Sequence, residues 1–599
     1  MFLAMNFHPV NAPVDIAQQI WALKYRFEDE VDLAATFKRV TDAVALAEPE
    51  ASRSYHAQSF FEVMSDLRFL PAGRILAGAG TGRAVTLFNC FVMNKIGDSI
   101  PEIFAGLNEA AQTLQQGGGI GHDFSSLRPK GARVHGVGAD ASGPLSFMDV
   151  WDAMCRTIMS AGARRGAMMG TLRCDHPDIE AFITAKQDPA NLRNFNISVL
   201  VTDAFMAAVK SDSEWPLVFD GVVFKTLRAR ALWLQIMQAT YDFAEPGVIF
   251  IDRINRLNPL SYCEIISCTN PCGEQPLPAY GACLLGSLNL TRFVKEPFGK
   301  AATLDLQDLQ KVTAIAIRFL DNVIDVSNFP LPQQKNEALN KRRLGLGVTG
   351  LADALLMCGV RYGSERSTIL AATWMQTIQS AAFESSCDLA LEKGSFPLFE
   401  ADEYLATTYA KSLSSERRQM IARSGLRNGL LTSIAPTGTI SLLAGNVSSG
   451  IEPIFSASYE RRIRDVNGEH TEHLQDYAVK LSQVSYPDSL PPEFVSVNEL
   501  LPDDHLAMQA AVQPFVDSSI SKTINVSEWV SFDEFVSVYQ KAYALGLKGC
   551  TTFRPNAITG SILTDLKDRS MTCPSCGGES LIHQEGCKSC SSCGFAVCG

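Results

Sequence analysis

Hydrophobic positions recur along this chain at two spacings. Leu33, Phe37, Val40 and Val44 fall three or four residues apart, the repeat of one helix face, and Asp32 precedes them as a candidate N-cap. Residues 13 to about 70 therefore read as helices. Leu309, Val312, Ala316, Phe319, Leu320 and Val323 mark a second helical face farther along. Between such runs lie short apolar stretches, SVLVTD from Ser198 and WPLVFDGVVF from Trp215, which read as buried strands. The alternation persists from Asn89 to Pro555 without an internal repeat and predicts an α/β architecture around one large core. RPNAITGSILTDLKDRS, from Arg554, reads as a linker. The expected division is a helical region (1–75), a core domain (76–556), a linker (557–570) and a cysteine-rich tail (571–599).

Composition changes the picture little. Of 599 residues, 46% are hydrophobic and 19% charged, as in an ordinary folded protein. The net charge of −12 argues against a large nucleic-acid surface, though not against a local basic pocket for phosphates. The N-terminus lacks the basic and apolar regions of a secretory signal. Residues 428–451 are uncharged and long enough to span a bilayer, but Gly429, Pro436, Gly438, Gly445 and Gly450 break the run. The expectation is a cytoplasmic protein without a membrane segment.

GLGVTG (Gly345 to Gly350) fits the G-x-G-x-x-G pattern, yet polar and basic residues precede it where a dinucleotide fold needs a buried strand. A dinucleotide site is rejected. GGGIG (Gly117 to Gly121) has no Lys-Ser/Thr behind it, and reads as a turn or a close approach of backbone to ligand. The tail is more specific. Cys573 and Cys576 form one C-x-x-C knuckle and Cys590 and Cys593 another, each followed by glycine, a four-thiolate pattern that predicts zinc. Cys587 and Cys598 are left over and suit disulfide exchange.

The remaining cluster is NPCGE, where Cys272 stands between Asn270 and Glu274. A nucleophilic thiol usually wants a histidine base, and no histidine lies near Cys272 in the sequence. Thiol, carboxylate and amide together suit radical chemistry on a hydroxylated substrate. There the thiol exchanges a hydrogen atom, Glu removes a hydroxyl proton and Asn holds the oxygen.

FNCFVM, GGGIGHDFSSLRPKG, RRGAMMG, NFNISV, CTNPCGEQPL, GACLLGSLNL, RRLGLGVTGLAD, IAPTGTISLLAG and VDSSISKTINV follow one another from about residue 60 to 556. In this order they closely resemble the class II, adenosylcobalamin-dependent ribonucleotide reductases. One departure is Phe553, where those enzymes commonly have tyrosine. The resemblance implies a ten-stranded α/β barrel of two five-stranded parallel halves, with Cys272 on a loop threading its centre. It gives Cys272 the thiyl radical that takes the ribose 3′ hydrogen. Glu274 becomes the base on the 3′ hydroxyl and Asn270 the amide that orients the ribose. Cys90 and Cys283 are implied to deliver two electrons as the 2′ hydroxyl leaves, ending as a disulfide. Pro436, Thr437, Gly438 and Thr439 are implied to hold the substrate phosphate.

Segments around Gly162, Arg165 and Gly166, and around Asp188 and Asn194, resemble the loops that carry a dNTP effector's identity to the substrate base. The same resemblance implies a homodimer, a thioredoxin- or glutaredoxin-type reductant and ribonucleotide substrates, most naturally diphosphates. Class I relatives take their radical through paired tyrosines, and the sequence has no Tyr-Tyr; class III relatives need a glycyl-radical motif that GFAVCG does not supply. A zinc-ribbon nucleic-acid binder would leave the core idle. A glycyl-radical lyase would leave Cys90 and Cys283 idle.

Overall fold

The structure is a computed structural model that describes residues 16–134, 138–158, 166–188, 190–465 and 468–555, with four short backbone stretches beyond them. The N-terminal region is helical as its periodicity predicts, over Ile16–Lys24, Leu33–Ala45 and Glu50–Ser65. The Asp32 carboxylate accepts the Ala35 N–H at 2.8 Å, closing the first turn of the second helix. The long helix Leu306–Val326 buries all six apolar positions of its predicted face. An ionic knot pins the N-terminal helices to it: the buried Glu48 carboxylate accepts from Arg318 (3.1 Å), Asn322 (2.8 Å) and Lys393 (3.0 Å). Those partners hold its carboxyl down at about 2 against the opposing pull of burial.

Five strands run parallel in the order Cys90–Val92, Gly119–Asp123, Met168–Arg173, Phe195–Val201 and Gly247–Phe250. They belong to an eight-stranded sheet that continues antiparallel into Gly549–Phe553 and then parallel into Thr523–Asn525. A three-stranded sheet holds Phe69–Pro71, Leu285–Asn289 and Gly345–Thr349, the last two parallel. The strands thus fall into two sheets rather than one closed ring of ten. The reason is local: residues 430–434 and 518–521 join the second sheet toward the first only through isolated bridges, Leu346 with Thr432 and Ile434 with Ile520.

One sequence expectation is corrected in detail. WPLVFDGVVF forms strands, Glu214–Phe219 and Val222–Arg228, but they make a separate antiparallel hairpin turning at Asp220 and Gly221. Only Leu217 is buried in it; Val222, Val223 and Phe224, which alternate between its two faces, are all exposed, and the ribbon lies outside the main sheet. GLGVTG is a buried strand whose glycines permit close packing: a side chain at Gly347 would strike the Ser433 carbonyl. Residues 428–451 break into extended and helical pieces, and no described helix is long and apolar enough to cross a membrane. Leu563–Asp565, within the expected linker, pairs with the hairpin strand Ser458–Asp465.

Candidate active site

Cys268–Thr269 pairs antiparallel with Pro276–Leu277, making a hairpin whose tip carries Asn270, Pro271, Cys272, Gly273 and Glu274. Pro271 fixes one corner of the turn, and the Gly273 N–H donates to the Asn270 carbonyl at 3.1 Å. Gly273 takes φ +80°, which glycine adopts without strain. The tip is clamped by a strand of the eight-stranded sheet and by the segments 430–434 and 518–521. Asn196 Nδ2 donates to the Pro271 carbonyl (2.9 Å), while Ser433 Oγ (2.9 Å) and the Ser519 N–H (3.0 Å) donate to the Glu274 carbonyl.

Clamping the backbone leaves the polar ends unspent. Asn270 Oδ1 accepts the Gln275 N–H at 3.1 Å, which orients the amide and leaves its buried Nδ2 without a partner. Glu274 Oε2 is likewise buried and unpartnered. Burial pushes the Glu274 carboxyl up to about 7, only partly opposed by the neighbouring Asn270 amide and its own backbone. An acceptor that titrates near neutrality and a fixed donor therefore face the same space.

Cys90 and Cys283 are directly opposed partners on antiparallel strands. Opposed residues in such a ladder lie about 4.5–5.5 Å apart at Cα, inside the range of roughly 4.4–6.8 Å that a disulfide spans. Both are thiols here; burial, and then its neighbour Cys90, push the Cys283 thiol well above the usual range. A side chain at Gly119 would come within 3.1 Å of Cys90 Sγ and 3.7 Å of the Pro271 ring, so GGGIG serves a close approach. A cavity of about 270 Å³ collects these groups: Cys90, Asn270, Cys272 and Glu274, the glycines 117–119, and Pro436, Thr437, Gly438 and Thr439.

Across the hairpin tip lies a second cavity, of about 450 Å³, that sequence reasoning did not find. It shares Pro271, Cys272 and Pro436 with the first, so Cys272 stands in the wall between the two. Its far side carries Gln509, Lys522 and Lys548. Lys522 is spent on Glu452, His505 Nδ1 (2.7 Å) and the Thr523 carbonyl (2.6 Å). Lys548 donates to the Asp517 carbonyl (2.7 Å) and the Ser518 carbonyl, and burial pulls its amine down to about 8. Gln509 is 2% exposed with its Oε1 unpartnered.

Comparison with known proteins settles the family. A family model described as ribonucleotide reductase, barrel domain, matches residues 88–553, and one described as ribonucleotide reductase, all-alpha domain, matches residues 13–84. The chain belongs to the ribonucleotide reductase family. Among its relatives, the vitamin B12-dependent ribonucleoside-diphosphate reductase of Mycobacterium tuberculosis (strain CDC 1551 / Oshkosh) is 39% identical over 86% of this chain and 74% of its own length. The protein of the same name from Thermoplasma acidophilum is 37% identical over 91% and 70%. The ribonucleoside-diphosphate reductase large subunit of vaccinia virus is 26% identical over 86% and 76%.

Other predicted positions of this ribonucleotide reductase are placed less uniformly. Gly166 lines the first cavity, whereas Gly162 and Arg165 lie outside the described residues. The Asp188 carboxylate caps its own turn by accepting the Ala190 N–H at 2.9 Å, and the Asn194 amide donates to Asp152 Oδ1 at 3.1 Å. Both side chains are thus engaged within the protein. In the tail, Cys573, Cys576 and Cys593 lie outside the described residues. The tail backbone forms a three-stranded antiparallel sheet in which Cys587 is opposed to Cys598 and Cys590 to Leu581.

Proposed function

We propose that this chain reduces ribonucleoside diphosphates to 2′-deoxyribonucleotides for DNA precursors, using a thiyl radical on Cys272 initiated by adenosylcobalamin. The observation that carries the reading is Cys272 in the wall between two cavities, one of them lined by the Glu274 carboxylate, the Asn270 amide and Cys90, whose strand partner is Cys283. The names of the mycobacterial and archaeal relatives support the cofactor and the diphosphate. The bridges through 430–434 and 518–521 support a ten-stranded barrel, its halves meeting at Gly247–Phe250 against Gly549–Phe553.

The second cavity fits the nucleoside arm of the cofactor. The buried, unpartnered Gln509 Oε1 is an acceptor that needs a donor, and a ribose hydroxyl or adenine amine supplies one. When bound, adenosylcobalamin would supply radical chemistry through homolysis of its cobalt–carbon bond, and the Cys272 thiol would give up its hydrogen atom to become a thiyl. From the first cavity, Cys272 as a thiyl takes the 3′ hydrogen of the substrate ribose. Glu274 accepts the 3′ hydroxyl proton while Asn270 Nδ2 donates to the ribose oxygen. Cys90 and Cys283 give two electrons and two protons, one proton leaving with the 2′ hydroxyl as water and the other ending on the 2′ carbon, so that a disulfide joins the two sulfurs and Glu274 returns its proton to the 3′ oxygen. Cys272 then returns its hydrogen to the 3′ carbon.

Regulation and turnover complete the proposal. dNTP effectors act through the loops around Gly166 and Asn194, supported by Gly166 in the substrate cavity wall. Zinc on Cys573, Cys576, Cys590 and Cys593 rests on their spacing alone. Cys587 and Cys598, opposed in the backbone register, are the shuttle toward a thioredoxin-type reductant. The decisive test is to add adenosylcobalamin and a nucleoside diphosphate to the purified chain. 5′-Deoxyadenosine, cob(II)alamin and deoxynucleotide should form with the natural sequence. Cys272→Ser should give no deoxynucleotide while keeping its circular dichroism, since an O–H bond is too strong to relay the hydrogen atom. Turnover by that variant above blank would overturn the radical assignment.

A further inference from the structure

The Thr437 hydroxyl is fully engaged inside the protein. Thr437 is a β-branched residue at φ +52°, a left-handed conformation that such side chains rarely hold without support. The support is visible. Thr437 Oγ1 accepts the Gly450 N–H at 2.8 Å and lies 3.1 Å from Thr349 Oγ1. Thr349 Oγ1 also lies 3.0 Å from the Ser448 carbonyl, which can only accept, so the one proton of Thr349 is committed there. The proton between the two threonines must then come from Thr437. A hydroxyl has a single proton, and this one is used, so Thr437 has none to donate to a phosphate oxygen.

Behind Thr349 the chain is fastened again. The Ser448 carbonyl accepts the Gly350 N–H (2.7 Å), and the Ser448 N–H donates to Asp353 Oδ2 (2.6 Å). Asp353 Oδ1 accepts the Ala478 N–H at 3.0 Å. Thr349 and Asp353 are fully buried, and Ser448 and Thr437 nearly so. By contrast Gly438 is exposed in the cavity, with open space around its Cα. Thr439, half-buried, lines the same cavity.

We infer that Thr349 is a positioning residue for the substrate phosphate. It locks Thr437 in its left-handed turn from behind. The threonine of GLGVTG thus holds the phosphate turn without touching the phosphate. This rests on the ribonucleotide-reductase reading of the first cavity.

The test measures nucleoside diphosphate binding to the prereduced full chain by equilibrium dialysis, alongside steady-state kinetics. Thr349→Val keeps the shape and loses the hydroxyl. It should raise the dissociation constant and KM about tenfold, the size expected for releasing one hydrogen-bonded lock, with kcat within about twofold. Thr349→Ser should restore binding. The Thr437→Val effect should not multiply with Thr349→Val, because both open the same lock. Should Thr349→Val fail to fold, Thr349→Ala reads the same loss without a branched side chain. Unchanged binding in the folded Thr349 variants, or multiplication with Thr437→Val, overturns the lock. Absence of binding by the unaltered chain overturns the reading of the cavity itself, and the lock with it.

Discussion

Glu274 must do two things that oppose each other. In its proposed role as base it must be ionised, yet burial pushes its carboxyl up to about 7. The pH dependence of kcat/KM should therefore show an acid limb near 7, with activity lost as pH falls below it, and Glu274→Gln should remove activity at every pH. Stability should move the other way. A carboxyl whose folded value lies above its ordinary 4.5 contributes stability that is fully present below 4.5 and lost as pH rises through 7. Glu274→Gln should thus raise unfolding stability at pH 8 by on the order of 3 kcal/mol and leave it nearly unchanged at pH 4. Urea denaturation at the two pH values checks the sign. The chemistry of this residue was legible because Asn270, Cys272 and Glu274 are nearly contiguous and share one hairpin tip. The pairing of Cys90 with Cys283 came from family resemblance alone, since only strand register brings such distant positions together.

Among the elements, helices declared themselves better than strands. The face of Leu306–Val326 repeats over 21 residues and can only be buried one way. A seven-residue strand such as Val222–Arg228, with only Val222, Val223, Phe224 and Leu227 apolar, carries no such signature, and most of it is exposed. The second cavity was illegible for a related reason: its lining comes from several separated segments, and no spacing links Gln509 to Asn196 or Lys548. The Glu48 knot is of this kind too, joining residues from three helices or their ends. Glu48→Gln should leave Arg318 and Lys393 without their buried counter-charge and destabilise the protein by about 3–5 kcal/mol. Thermal unfolding at neutral pH should show the loss. The difference should shrink as pH falls toward about 2, where the native carboxylate itself takes up a proton.

For the whole molecule the question is how electrons return. Once Cys90 and Cys283 are joined, a bulky reductase has little access: Cys283 is completely buried and Cys90 half-buried in a cavity of about 270 Å³. Truncation before Met571 should yield about one deoxynucleotide per prereduced site and then stall with thioredoxin, the yield set by the single stored electron pair. Cys587→Ser and Cys598→Ser should stall in the same way. Rapid-quench product counting measures this, and normal cycling by either variant would reassign the shuttle.

The same thiol pair sits where the three-stranded sheet and the eight-stranded sheet meet, since the strand of Cys283 runs on into Leu285–Asn289. Oxidation there closes a covalent loop of nearly two hundred residues across the middle of the chain. By chain-entropy reasoning such a clasp stabilises the fold by roughly 5 kcal/mol. The enzyme would then finish each cycle mechanically tighter than it began, and melt at a higher temperature spent than fresh. Calorimetry before and after one turnover without reductant should show that rise, which Cys90→Ser, having no partner to fasten, should lack.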